Sequence, residues 1–286
     1  MTTAAIHDCL AGAISPQVAV ARMLLAGSGT AAILAALEAT GSHPRIAVMR
    51  TLVLDRATAL DALAAEVRDT ASRHDASGAT PAQGIAKIAA FFDRAVQHSP
   101  EASVALYSLG DPAILAAATA EILAWLAAKR LLPPTADVLD LGCGIGRIAA
   151  ALAPRCTSVL ALDVSPGMVA EAARRLATSA NVNVRSTGGE DLDWLAPASL
   201  DLVLAIDSFP YIVQTGAETA LRHVHGVARA LRPGGALCIL NLSYRGDPAA
   251  DADDATAWAA ATGMTLKQAG DRPFRLWDGT AFVLSR

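Results

Sequence analysis

Val138-Leu-Asp-Leu-Gly-Cys-Gly-Ile-Gly-Arg147 runs from apolar residues into three glycines and on into the helical pattern Ile148 to Leu152. A strand, a tight turn and a helix are the expected order, with a ligand on the turn. Glycines at 142, 144 and 146 let the backbone turn sharply and come close to a ligand, and the first N–H groups of the next helix favour a negative group. The spacing discriminates between ligands. A dinucleotide fingerprint of the form G-x-G-x-x-G needs glycine at 147, where this chain has Arg147, and the Gly-Lys-Ser/Thr of a phosphate-binding P-loop is missing. NAD and ATP lose ground on that basis.

From this stretch toward the C-terminus, short apolar runs alternate with helical stretches. Strands are predicted at Asp137 to Leu141, Ser158 to Leu162, Val182 to Ser186, Leu200 to Ala205 and Ala236 to Asn241, with a last pair near Thr265 to Ala269 and Ala281 to Leu284. Helices start near Arg147, Gly167 and Ala217. The first five strands read as runs buried on both faces, as a parallel sheet covered by helices requires. Trp277-Asp-Gly279 reads as a turn in the closing antiparallel pair. Toward the N-terminus the pattern is helical up to about residue 131. Ser15-Pro16 opens one helix, a second runs from Ala31 to Leu37 and stops near Gly41, and a third region extends from Arg45 to about Arg73. Asp75 to Gly84 reads as a linker, and Asp111-Pro112 caps the helix that leads into the first strand.

Composition narrows the function classes. The 286 residues carry 27 carboxylates against 23 Lys and Arg, a net charge of -4, which argues against a protein whose affinity comes from neutralising phosphates. No nucleic-acid or membrane partner is expected. The N-terminus shows neither a basic start nor an apolar signal core, so a cytoplasmic protein is the expectation. Cys9, Cys143, Cys156 and Cys238 have no metal-ligand or CxxC spacing and read as small packing residues in a reducing compartment.

Asp163 stands at the carboxyl end of the second predicted strand, where a carboxylate can accept hydrogen bonds from both hydroxyls of a ribose. With it, the ordered segments LDLGCGIG, ALDVSPGMVAEAARR, GGEDLDWLAPASLDLVLAIDSF and ALRPGGALCI resemble the class I S-adenosylmethionine-dependent methyltransferases. The resemblance implies a Rossmann-like α/β fold: a seven-stranded, mostly parallel sheet of order 3-2-1-4-5-7-6 over residues 111–286, with an all-helical extension at 1–110. It implies S-adenosylmethionine as cofactor and S-adenosylhomocysteine as product. Gly142, Cys143, Gly144 and Gly146 would line the methionine part, with Asp140 holding the glycine loop or reaching the ammonium through water. Asp163 would take the ribose, and Val164 and Met168 would flank the adenine. Glu190 and Asp191 would approach its amino nitrogen, although Gly188-Gly189 replaces the usual Gly-Asp-Ala before them. Asp207 and Phe209 would reach the methionine end.

Methyl transfer from a sulfonium is an in-line displacement with an activated donor, so alignment and exclusion of water are the protein's main contributions. The expected acceptor is an O, N, S or C atom of a small molecule. Tyr211, Tyr107, Asn241 and Tyr244 are the candidate catalytic or acceptor-contacting residues, none in a recognisable dyad. Cys143 is a packing residue rather than a nucleophile. His223 and His225, two apart on a helix, point in different directions and read as a solvated face, so no metal is expected. The helical extension either shapes the acceptor pocket or forms a homodimer interface. A non-catalytic regulatory protein that retains the cofactor pocket and an enzyme acting on a protein acceptor are the alternatives.

Overall fold

The computed structural model describes residues 2–70 and 80–286, so half of the expected linker, residues 75–79, lies outside the described residues, and its end, from Pro81, is helical. The helices are α1 (Thr2–Leu10), α2 (Pro16–Leu25), α3 (Thr30–Thr40), α4 (Pro44–Leu54), α5 (Ala57–Thr70), α6 (Pro81–His98), α7 (Pro100–Val104) and α8 (Pro112–Ala128). Then follow β1 (Asp137–Leu141), α9 (Arg147–Leu152), β2 (Ser158–Asp163), α10 (Pro166–Arg175), β3 (Val182–Ser186), β4 (Leu200–Ile206), α11 (Phe209–Gln214) and α12 (Ala217–Ala230). The chain closes with β5 (Leu231–Leu240), α13 (Pro248–Thr262), β6 (Thr265–Asp271) and β7 (Ala281–Ser285).

These elements form two compact units that interleave along the chain. One holds residues 2–70, Ser99–Ala118 and Phe274–Asp278; the other holds 80–98, Thr119–Pro273 and Gly279–Arg286. In the helical unit, Ser15 caps α2 by accepting the Val18 N–H at 3.2 Å. Gly29 has no side chain to cap α3, and Asp61 of α5 supplies the missing acceptor, taking the Thr30 N–H at 2.9 Å and its hydroxyl at 2.8 Å. The region read as one helix from Arg45 divides into α4 and α5, and Arg56 between them pairs with Asp111. Trp277, expected in a plain hairpin turn, is buried here, stacked between Tyr107 at 5.9 Å and Phe274 at 5.2 Å between ring centroids. Ser15 Oγ donates to the Leu276 carbonyl, and Arg22 pairs with Asp278.

The other unit is built on a seven-stranded sheet of order β3-β2-β1-β4-β5-β7-β6, parallel except for β7, which is antiparallel to both neighbours. Order and directions are those of the Rossmann-like α/β sheet expected from the sequence. Leu139, Leu141, Val203, Leu237 and Ile239 are buried in a core shared with Val224 and Val227 of α12. β1 to β4 lie within a residue of their predicted bounds. β5 begins earlier than predicted, at Leu231, because Leu231 pairs with Leu200 before the register shifts through Arg232-Pro-Gly-Gly235. Strand order reverses between β1 and β4, and the crevice at their carboxyl ends is where open α/β sheets bind ligands.

Gly226 on α12 faces the loop after β3, where an added Cβ would lie 2.9 Å from the Leu192 Cβ and 3.2 Å from its carbonyl carbon. Alanine gains about 1 kcal/mol of helix propensity, whereas overpacking against a neighbour whose backbone must shift costs about 1–3 kcal/mol. The second effect should win. Urea unfolding of Gly226→Ala is expected to show a net loss of stability, and a gain would mean that the loop yields freely.

Candidate functional site

The glycine loop is shaped from within the chain. The Leu162 carbonyl accepts the N–H groups of Gly142 and Cys143, both at 2.8 Å. Gly144 N–H donates to Asp163 Oδ2 and Ser165 N–H to Asp163 Oδ1, both at 2.9 Å, so one carboxylate ties the loop after β1 to the turn after β2. Asp140 Oδ2 accepts the Ala149 N–H in the first turn of α9 at 3.2 Å. Part of the donor set expected to meet an anion is therefore met by Asp140. Gly142 and Gly146 have φ of 74° and 77°. Their absent side chains make room for protein: a Cβ at 142 would lie 2.2 Å from the Ser208 Cβ, and one at 146 would lie 2.7 Å from Leu176 Cδ1.

On the expected adenine side, Met168 is fully buried, Val164 is half-buried, and Gly189 lets the next loop approach until an added Cβ would be 2.7 Å from Val164 Cγ1. Glu190 is exposed, and Asp191 Oδ1 accepts the Asp193 N–H of its own turn at 3.1 Å. Ser208 Oγ donates to the Leu141 carbonyl at 2.5 Å.

Beyond β4 and β5 the structure gathers three of the four catalytic candidates. Asp207 Oδ1 accepts the Asn241 Nδ2 amide at 2.7 Å and the Tyr244 hydroxyl at 2.9 Å. Asn241 Oδ1 in turn accepts the Thr280 N–H at 2.9 Å. The Tyr211 ring meets the edge of Tyr244 at 5.7 Å and of Phe92 at 5.0 Å. Phe92 gave no signal in the sequence, because α6 lies among the N-terminal helices. Burial, then the Asp207 charge, pushes the Tyr211 phenol well above its ordinary value, so it is a hydrogen-bonding group rather than a base.

Two expectations change. Phe209 is 0% exposed and packs on Trp258 at 5.4 Å, so its ring is core and offers no ligand surface. His223 is buried rather than solvated, with Nδ1 2.9 Å from the Thr219 carbonyl, and burial lowers its pKa. Tyr107, the fourth catalytic candidate, is a residue of the helical unit, stacked on Trp277. Cys143 is buried, its thiol pKa pushed far up by burial and by Asp140 and Asp163.

The electrostatics select the ligand's charge. Burial raises the Asp140 carboxyl to about 7, with the Arg147 charge and the Ala149 N–H opposing, and burial raises Asp163 against three backbone N–H groups. A cation beside these groups relieves the cost of burying them, whereas a pyrophosphate adds to it. Gly144 N–H on Oδ2 and Ser165 N–H on Oδ1 leave the Asp163 carboxylate acceptor capacity for a ribose hydroxyl. A nucleoside carrying a sulfonium and an ammonium fits this donor and charge set.

Residues 138–235 match the family model of a methyltransferase domain. The matched segment is thus similar to the methyltransferase family that the sequence resembles. The chain is 32% identical over 117 residues to a ubiquinone biosynthesis O-methyltransferase of Xanthomonas campestris, covering 41% of this chain and 47% of the relative. It is 36% identical over 111 residues to a ribosomal RNA large subunit methyltransferase G of Streptomyces avermitilis, covering 38% and 29%. It is also 32% identical over 138 residues to an S-adenosyl-L-methionine-dependent Diels-Alderase of Talaromyces variabilis, covering 46% and 43%. The chain thus spans less than half the length of each of these relatives. Among the described residues, no helix is long and apolar enough to cross a membrane.

Asp140 should leave a pH signature on stability. Its carboxyl titrates near 7 in the folded chain and at 3.8 when unperturbed, so between these values the folded state holds the extra proton. Stability therefore rises as pH falls from 7 toward 3.8, and the Asp140 contribution is least favourable above 7. Asp140→Asn keeps an acceptor for Ala149 and should flatten this slope in denaturant titrations between pH 5 and about 8. An unchanged slope would assign the titration to another group.

Proposed function

We propose that the chain transfers a methyl group from S-adenosylmethionine to an O, N, S or C atom of a small molecule. The carrying observation is a pair of constellations at one carboxyl edge of the sheet unit: the loop tied to Asp163, and the Asp207, Asn241, Tyr211 and Tyr244 cluster. The cofactor supplies an activated methyl on a sulfonium. Asp163 orients the ribose by accepting its hydroxyls, with Gly144 and Ser165 fixing the carboxylate, while Val164 and the loop at Gly188 to Asp191 border the base. Asp140 steadies the glycine loop and balances the ligand's positive end. Asp207 accepts from Asn241 and Tyr244 and so fixes both on the acceptor side, and the rings of Phe92 and Tyr211 exclude water.

The relatives differ in what their names say they act on, a quinone precursor, ribosomal RNA and a cycloaddition substrate, so the shared region speaks for the cofactor and this chain's own residues for the acceptor. The excess of carboxylates over basic residues and the aromatic edge favour a small, uncharged or weakly charged acceptor. The Diels-Alderase relative supports a second reading, in which the cofactor is bound without methyl transfer.

Calorimetric titration with S-adenosylmethionine, S-adenosylhomocysteine and NAD tests the cofactor, and binding of the first two alone is the expected result. Acceptor screening by homocysteine release then separates the readings: release with a small molecule supports transfer, and its absence across quinone, phenol, amine and thiol panels favours the second. Asp163→Ala should weaken S-adenosylhomocysteine binding by roughly 1.5–3 kcal/mol, the range for a hydrogen bond to a charged group. Unchanged affinity would remove Asp163 from the site.

A further inference from the structure

Helix α6 precedes the sheet in sequence but belongs to the sheet unit, where it packs against α10. Its Asp93 reaches the turn after β2: Oδ1 accepts the Ser165 hydroxyl at 2.6 Å and the Gly167 N–H at 2.7 Å. Ser165 is the shared member of two networks, since its N–H goes to Asp163 and its hydroxyl to Asp93, while its oxygen also caps α10 by accepting the Met168 N–H at 3.1 Å. The approach is close. A Cβ on Gly167 would lie 3.0 Å from Asp93 Oδ1, 3.1 Å from Val96 Cγ1 and 3.3 Å from the Asp93 Cα. Two turns earlier, Ile85 Cγ2 would lie 3.2 Å from a Cβ on Gly189, in the other loop on the expected adenosine side. Next to Asp93, Phe92 meets Tyr211 on the acceptor side.

We propose that Asp93 is a positioning residue of the cofactor site, through which α6 clamps the turn after β2, so that cofactor binding and the docking of α6 are coupled. The proposal rests on the cofactor reading above. A carboxylate at the first turn of α10 suits the helix dipole, and beside Asp163 it also adds repulsion to a group already buried. That repulsion is relieved when a cationic nucleoside binds, which couples the Asp93 contacts to the ligand as well as to the resting fold. Because Phe92 and Asp93 are adjacent on one helix, a displaced α6 loosens the turn and the Tyr211 edge together.

The test uses the full chain and S-adenosylhomocysteine as probe, with calorimetry for affinity and hydrogen exchange for α6. In the wild type, binding should slow exchange of amides in residues 88–96 together with those in 164–168. Asp93→Ala should weaken binding by about tenfold or more, the equivalent of a hydrogen bond to a charged group, and should lose the ligand-dependent slowing in α6. Asp93→Asn keeps an oxygen for both donors and should retain most of the affinity. Circular dichroism at the titration temperature shows whether each variant is folded, and if the alanine variant is not, the wild-type exchange pattern and the asparagine variant still decide. Wild-type binding with no change in α6 exchange, or Asp93→Ala binding as wild type, overturns the proposal alone. No binding by the wild type overturns the cofactor reading and the proposal with it.

Discussion

The site depends on a buried carboxylate that cannot be left unsatisfied. Asp163 ends β2 inside the sheet unit, where an ionised oxygen without partners costs several kcal/mol, of the order seen for an uncompensated buried charge. The chain answers with the N–H groups of Gly144 and Ser165. Those bonds fix two loops that come from different strands, and so convert an electrostatic requirement into a ligand-binding shape. The other fixed points follow from it: Gly142 must lie against Ser208, Gly146 against Leu176, and Gly167 against α6, each where a side chain would collide.

Much of this was legible because parallel strands buried on both faces leave unbroken apolar runs that periodicity detects, and the glycine loop stands out against them. Asp163 was legible for the same reason, as a carboxylate closing such a run. The helical half was less readable. Alanine at so many positions blurs the distinction between buried and exposed faces, so the division at Asp55-Arg56 and the attachment of α6 to the sheet left no clear mark. Trp277 to Gly279 reads as a hairpin turn because the partners of this segment, Tyr107, Ser15 and Arg22, lie more than 150 residues away in sequence. Contacts of such separation are invisible to any local pattern. His223 was misread because its burial depends on which face of α12 meets the sheet.

The matched methyltransferase region stops at residue 235, and that limit has a physical meaning. Asp140, Asp163 and the glycine loop, the proposed cofactor side, lie inside it. Phe92, Asn241, Tyr244 and Thr280 lie outside it, whereas Asp207 and Tyr211, on which they converge, lie inside, so the proposed acceptor edge straddles the boundary of the match. Half of that edge is therefore built by chain segments beyond the shared domain.

Backbone conformation supports the same division. Asp207 and Asn241, at the ends of β4 and β5, have φ of 58° and 66°, the left-handed region that costs about 1–3 kcal/mol for a non-glycine residue, less for Asp and Asn. Such conformations persist only where the surroundings over-determine them. Here the Asp207 N–H is held by the Leu240 carbonyl at 2.9 Å, the Asn241 N–H by the Thr280 carbonyl at 2.7 Å, and the two side chains bind each other. A relaxed turn at either position would send its side chain away from the other and release Tyr244 from Asp207. The strain is thus the condition for presenting three polar groups together at the open edge of the sheet, half-exposed at Tyr244, the edge proposed to meet the acceptor.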